Sequence, residues 1–321
     1  MGDLKGKDIL DGAQFTRSDL EGVLALAADL RRQLNKRRAP RLAAGYLMGS
    51  LFFEPSTRTR LSFETAMHRL GGSVVGFGSA EGTSAAKGET LADTIRTVDQ
   101  YVDLIVLRHP KIGSAHEAAE VAAAPVINGG DGAGQHPTQA LLDLFTIQSE
   151  RGTLDGCTVV LCGDLKHGRT VHAGVELYRH YKCRLVFVSP DELRMPPELV
   201  SRLREQGVNV TESSSLEEAL AGADVLYMTR IQRERFEDPA EYDRLKDSYV
   251  LTRGMVERVR PQVTVLHPLP RVNEITTDVD SLQSAAYFRQ VRNGVSVRMA
   301  LIALVLGLVK PPRKDVSWMR M

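Results

Sequence analysis

The sequence predicts an α/β protein built from two parallel-sheet α/β domains, with a last helix that returns to the first. Three observations carry this expectation. The chain has 321 residues, about twice a typical domain of ~150. Helical and strand-like segments alternate along it, the pattern that layers helices on a mostly parallel sheet. A polar, turn-rich stretch from Arg151 to Gly156 divides the alternation into two series.

In the first series, apolar residues at Leu24, Leu26, Ala27 and Leu30 give a helical stripe within Leu20 to Leu34. Leu47 to Phe53 is short and apolar and reads as a buried strand. Ser56 then offers an N-cap, Leu61, Phe63, Ala66, Met67 and Leu70 supply one helix face, and Gly71 and Gly72 stop it. Further strands are expected at Val74 to Phe77, Leu104 to Leu107 and Pro125 to Asn128, with a helix from Thr138 towards Gln148. The second series has strands expected at Thr158 to Cys162, Arg184 to Val188, Val225 to Thr229 and Val263 to His267. The run Met299 to Val309 reads as a buried helix, and it is far shorter than the ~20 residues a membrane span needs. The expected domains are therefore 1–149 and 150–293, with a C-terminal helix and tail at 294–321 packing back on the first. A crevice between two such halves is where a ligand site is expected.

Composition narrows the function classes. Lys and Arg total 41 against 40 Asp and Glu, a formal charge of +1, which argues against a general nucleic-acid binder. Hydrophobic content of 43% with 25% charged residues excludes disorder as the dominant state. Three unclustered cysteines, Cys157, Cys162 and Cys183, argue against a disulfide framework and favour a cytoplasmic address. None of them has zinc-ligand spacing.

The segment Phe52 to Arg60 is a strand leading into a helix start rich in hydroxyls and arginines. Exposed backbone N–H groups, the helix dipole, Ser56, Thr57, Thr59, Arg58 and Arg60 together favour a bound phosphate. Glu54 to Arg60 resembles the carbamoyl-phosphate loop of the aspartate and ornithine carbamoyltransferases, and its continuation from Leu61 to Gly71 resembles the aspartate branch. Six further matches follow in order: Lys87 to Thr90, Leu107 to Pro110, His136 to Asp143, Gly163 to His172, Met228 to Gln232 and His267 to Arg271. The resemblance spans nearly the whole chain.

The resemblance implies Rossmann-like domains and transfer of a carbamoyl group from carbamoyl phosphate to the amino group of L-aspartate, in pyrimidine synthesis. Negative charge grows on the carbonyl oxygen as a neutral amine attacks, so preorganised donors are the main requirement, and the implied reaction calls for no covalent nucleophile, metal or cofactor. By similarity, Ser56, Thr57, Arg58 and Thr59 hold the phosphate, Arg108 bridges phosphate and carbonyl, and His136 donates to the carbonyl oxygen. Gln139 and the main-chain carbonyls of Leu269 and Pro270 accept from the carbamoyl NH₂. Arg169 and Arg230 take the two carboxylates of aspartate, assisted by Gln232 and Lys87, since planar arginine forks suit carboxylates. The resemblance also implies a homotrimer in which Ser84 and Lys87 come from an adjacent subunit. Only one lysine precedes Gly88-Glu89-Thr90, and the loop is a residue short of one familiar form, so Thr83 competes with Ser84 for the serine role. Some relatives bind a separate zinc-containing regulatory chain. Gly163-Asp164-Leu165-Lys166 is closer to that kind, which leaves such a partner open.

Two rival readings have local support. Gly163-x-x-x-x-Gly168-Arg169-Thr170 nearly matches a nucleotide-binding P-loop, but arginine stands where that loop needs lysine. Ornithine carbamoyltransferases carry His-Cys-Leu-Pro where this chain has His267-Pro268-Leu269-Pro270, and Arg230 and Lys87 suit a second carboxylate rather than a cationic side chain.

Overall fold

The computed structural model describes residues 3–38, 40–259 and 262–309. The chain divides into two compact units, Met1–Leu142 with Val291–Met321, and Asp143–Gln290.

The first unit opens with α1 (Arg17–Asn35), started by a reciprocal capping box between Thr16 and Asp19. Its stripe of Leu24, Leu26, Ala27 and Leu30 is buried as the periodicity predicts. Then follow β1 (Leu47–Phe52), α2 (Thr57–Arg69), β2 (Ser73–Phe77), α3 (Leu91–Asp99), β3 (Leu104–His109), α4 (Ser114–Val121), β4 (Val126–Asp131) and α5 (Pro137–Arg151). The strands form one parallel sheet in the order β2-β1-β3-β4. Leu51, Ile105, Leu107 and Val126 from the strands and Ile95 from α3 share one apolar core. The chain moves outward from β1 to β2 and then returns to β3 on the other side of β1. The carboxyl ends of β1 and β3 therefore flank a topological switch point, where parallel sheets leave room for a ligand.

The second unit carries β5 (Thr158–Cys162), α6 (Arg169–Tyr178), β6 (Arg184–Val188), α7 (Pro197–Glu205), β7 (Asn209–Ser213), α8 (Leu216–Ala221), β8 (Val225–Met228), α9 (Pro239–Leu245), α10 (Arg253–Val259) and β9 (Thr264–Leu266). Its parallel sheet has the order β7-β6-β5-β8-β9, which puts a second switch point between β5 and β8. The fifth strand, β7, was not expected. Asn209–Ser213 is polar, and it lies at the sheet edge with none of its five residues buried, so it lacks the apolar run that marks a central strand. Inside this unit Asp143 is fully buried and accepts from the Tyr227 hydroxyl at 2.8 Å and from Gln290 Nε2 at 2.6 Å.

The last helix, α11 (Tyr287–Val305), starts about two turns before the expected Gly294 and stops short of Val309. Gly294 does not break it: a Cβ there would meet Arg298 Nη1 at 2.6 Å and Leu142 Cδ2 at 3.1 Å, so glycine serves a close approach inside the helix. Arg298 donates to Ser62 Oγ at 2.9 Å and lies 4.9 Å over the Phe63 ring, which seats this helix on α2 as expected. The unit divisions at 142/143 and 290/291 fall inside α5 and α11, whereas the sequence reading put them at 149/150 and 293/294. The helices run past both divisions, so no turn in the sequence marks them. The tail at 310–321 lies outside the described residues. Among the described residues no helix is long and apolar enough to cross a membrane.

Candidate active site

The first group of site residues collects at the carboxyl ends of β1 and β3. Phe52 pairs with Arg108 in the ladder, and Phe53 N–H donates to the Arg108 carbonyl at 2.8 Å, so the 53–56 turn is tied to the end of β3. Ser56 sits at the N-cap of α2 with extended backbone (φ −154°), but its side chain makes no capping bond. Its position is that of a cap and its hydroxyl is not used as one, which corrects the capping expectation. The first turn of α2 holds no acidic residue, so the positive end of the helix is uncompensated from within. Thr57 and Arg58 are exposed on that turn, while Thr59 points inward and is buried.

Thr59 Oγ1 stands 3.4 Å from Nε2 of His136, a buried ring immediately before α5. Arg108 is 8% exposed; its Nη1 donates to the Gly129 carbonyl at 3.1 Å and its Nη2 forms an ion pair with Glu54. A Cβ at Gly129 would come within 3.6 Å of both Arg108 Cβ and Thr59 Cγ2, so this backbone position holds the two side chains against each other. Gln139 is half-buried on the first turn of α5, three residues after His136. Thr59, Arg108 and His136 are thus brought together, with Ser56, Thr57 and Arg58 on the same turn as Thr59. Glu54 was missed as a partner of Arg108, because nothing in the sequence joins two positions on separate strand ends.

Ser84 and Lys87 belong to an exposed loop of two short 3₁₀ turns, Ala80–Gly82 and Ser84–Lys87. Thr83 is spent on that loop: its hydroxyl donates to the Ala80 carbonyl at 2.7 Å and accepts from Ala85 N–H at 3.3 Å. Among the described residues no hydrogen bond joins Ser84 or Lys87 to Thr59, Arg108 or His136.

The second group collects at the carboxyl ends of β5, β8 and β9. Gly163 follows β5 with φ +123°, and a Cβ there would lie 2.3 Å from the Thr229 carbonyl oxygen, so only glycine lets β5 and β8 approach so closely. Asp164 is fully buried and accepts from the His167 N–H at 2.9 Å, while His172 Nε2 meets the Leu165 carbonyl at 2.8 Å. These bonds hold the 163–168 turn, which delivers half-buried Arg169 to the start of α6. Burial lowers the pKa of His172 and keeps it neutral, so Nε2–H is the donor. Arg230, also half-buried, stands two residues past β8, with Gln232 opening a short turn just beyond it. Arg169 and Arg230 therefore flank the second switch point.

After β9 the backbone at Leu269 has φ +55°, and its bond to Pro270 is cis. Leu269 N–H donates to His267 Nδ1 at 2.8 Å, which puts the ring proton on Nε2, 2.7 Å from Glu274 Oε1. Glu274 Oε2 accepts from Val272 and Asn273 N–H at 3.0 and 3.1 Å. Burial alone would raise the Glu274 pKa, but the bond from His267 and the backbone donors outweigh it and hold it below the usual range. The Leu269 and Pro270 carbonyls are thus fixed by a buried His267–Glu274 pair as well as by the prolines. The sequence reading named the loop and missed that pair.

Comparison with known proteins matches both halves of the chain. Residues 7–149 match the family model for the aspartate/ornithine carbamoyltransferase carbamoyl-P binding domain, and residues 155–305 match that for its Asp/Orn binding domain. The aspartate carbamoyltransferase catalytic subunit of Thermococcus kodakarensis is 54% identical over 307 residues, 96% of this chain and 99% of that protein. Crystal structures of aspartate transcarbamoylase from Trypanosoma cruzi superpose closely. The complex with carbamoyl phosphate and aspartate gives a TM-score of 0.90 at 44% identity, covering 94% of this chain and 98% of that one. The complex with N-(phosphonacetyl)-L-aspartic acid gives 0.88 at 44% identity, covering 94% and 96%. Two domain matches in order, with identity across nearly the full length, establish that the chain belongs to the aspartate/ornithine carbamoyltransferase family.

Proposed function

We propose that the chain transfers the carbamoyl group of carbamoyl phosphate to the amino group of L-aspartate, releasing N-carbamoyl-L-aspartate and phosphate for pyrimidine synthesis. The observation that carries this reading is the convergence of Thr59, His136 and Arg108 beside the open N-terminus of α2. Ser56, Thr57, Arg58 and Thr59 hold the phosphate, with Arg108 reaching phosphate and carbonyl. His136, Thr59 and Arg108 donate to the carbonyl oxygen as charge grows on it. Gln139 and the carbonyls of Leu269 and Pro270 accept from the carbamoyl NH₂, which selects against an acetyl group. Arg169, Arg230 and Gln232 take the aspartate carboxylates, with Lys87. The neutral amine attacks directly, and the departing phosphate is the candidate acceptor for its proton.

The ligands of the Trypanosoma cruzi relatives support aspartate as the acceptor, and so does the cationic pair Arg169 and Arg230 at one switch point. The chain acts as a homotrimer, with Ser84 and Lys87 supplied to a neighbouring copy. Their exposed loop follows edge strand β2, and Leu61 on the adjoining helix is 55% exposed, which supports a subunit contact there. Three buried free cysteines support a reducing, cytoplasmic setting. Native mass reads out the trimer and any added regulatory chain.

The deciding experiment is phosphate release from carbamoyl phosphate with aspartate or ornithine as acceptor. Aspartate-dependent release with formation of carbamoyl aspartate is expected; equal or faster turnover with ornithine would overturn the assignment.

A further inference from the structure

Asp131, at the end of β4, is 3% exposed and has its carboxylate filled by donors from its own strand and from two loops. Oδ1 accepts from Gln135 N–H at 2.7 Å and from Asn128 Nδ2 at 3.2 Å. Oδ2 accepts from Gly113 N–H at 2.8 Å, the residue that caps α4. The backbone closes the same turn, with Gly134 N–H donating to the Asp131 carbonyl at 2.8 Å and Gly132 N–H to the His109 carbonyl at 2.9 Å. The two segments that meet on this carboxylate have different cargo. Gln135 is followed at once by His136, and Gly113 ends the turn that follows β3, the strand that carries Arg108 and ends at His109, whose Cα pairs with that of Asp131. Asparagine could not accept all three donors, since they fall on both oxygens and an amide has one acceptor oxygen.

We infer that Asp131 is a positioning residue: its carboxylate sets the Gln135 backbone, and through it the His136 ring against Thr59, while anchoring the turn that follows β3. This rests on the proposed carbamoyl transfer. The carboxylate does its work through the backbone and touches no substrate. Packing around it is tight, since a Cβ at Gly134 would lie 2.9 Å and 3.0 Å from the two carboxylate oxygens, and Gly134 is outside the left-handed region that would strain alanine.

The test is a double-mutant cycle on the full chain. Asp131→Asn is expected to lower kcat by roughly thirtyfold while changing KM for carbamoyl phosphate less than threefold, because the phosphate donors on α2 are untouched. In a His136→Ala background the same change should cost several-fold less, since the ring it positions is gone and only the anchored turn after β3 remains to be disturbed. A general loss of structure would cost the same in both backgrounds, and that outcome would overturn the inference. Gly134→Ala, whose methyl would press on the Asp131 carbonyl oxygen as well as on both carboxylate oxygens without removing them, should show the same pattern at smaller amplitude, and it decides the matter if Asp131→Asn does not fold. The His136 ring resonance, followed by NMR with labelled histidine, should move in either variant, and an unmoved resonance would also overturn it. This readout needs no turnover. If the unaltered protein transferred no carbamoyl group to aspartate, the functional reading would fail while the ring resonance still tested Asp131.

Discussion

Nε2 of His136 lies 3.4 Å from the hydroxyl of Thr59, a residue 77 positions earlier in the chain. The distance is long for a hydrogen bond, which suits the roles proposed for the two groups as side-by-side donors to one developing oxyanion. The strand ends bring them there: Thr59 rides on the first turn after β1, and His136 closes the turn after β4. Replacing His136 with alanine should lower kcat about 10² to 10³-fold, on the order of 3 kcal/mol, the loss typical of one oxyanion donor. Thr59→Val should cost less, and the double variant less than the product of the two, because both act on one atom. Steady-state kinetics on the four proteins gives the comparison, and fully multiplicative losses would separate their roles.

Arg58 stands exposed on the first turn of α2, beside an N-cap serine whose hydroxyl is not used for capping. An exposed arginine contributes little to folding, so Arg58→Ala should leave the thermal midpoint within a few degrees. Its effect should fall on the reaction, with kcat/KM reduced more than tenfold and by about 3 kcal/mol at most of transition-state stabilisation. A variant with nearly full kcat/KM would remove Arg58 from the phosphate pocket.

The exposed loop bearing Lys87 and Ser84 has the composition of a surface turn, with Thr83 occupied in shaping it. If its lysine serves a neighbouring copy, chains carrying Lys87→Ala and chains carrying Arg58→Ala should each be inactive alone and regain activity when mixed. In a mixed trimer some sites then combine an intact Arg58 from one copy with an intact Lys87 from another. Activity after mixing, assayed on trimers verified by mass, should rise to a sizeable fraction of normal. No recovery would confine each site to one chain.

Much of this arrangement was legible in the sequence because it depends on local order. Central strands such as Thr158–Cys162 are apolar runs, and the residues proposed to hold the phosphate are contiguous from Ser56 to Thr59. What escaped depends on tertiary pairing. Glu54 and Arg108 meet only because β1 and β3 are neighbours, and His267 meets Glu274 across a loop whose course no periodicity reports. Strand β7 escaped for the opposite reason, as an edge strand with no need of apolar residues on both faces. The last helix was misjudged at its start, since Gly294 reads as a boundary until the side chains that crowd it are known.

His172 links the 163–168 turn to acid stability. Burial is the main cause of its lowered pKa, outweighing the bond to Leu165 and the charge of Asp164 that pull the other way. The folded state therefore prefers the neutral ring more than the unfolded chain does. Below the ordinary histidine value of 6.5 the unfolded chain takes up a proton that the fold resists, so this contribution is complete above that pH and is lost as pH falls through the folded pKa. His109, also lowered chiefly by burial, acts in the same direction in the first unit. The thermal midpoint should fall between pH 7.5 and pH 5.5. His172→Gln, which can still donate to the Leu165 carbonyl and takes up no proton in this range, should flatten that slope. Calorimetric scans at both pH values give the measurement, and an unchanged slope in the variant would assign the acid sensitivity to other groups.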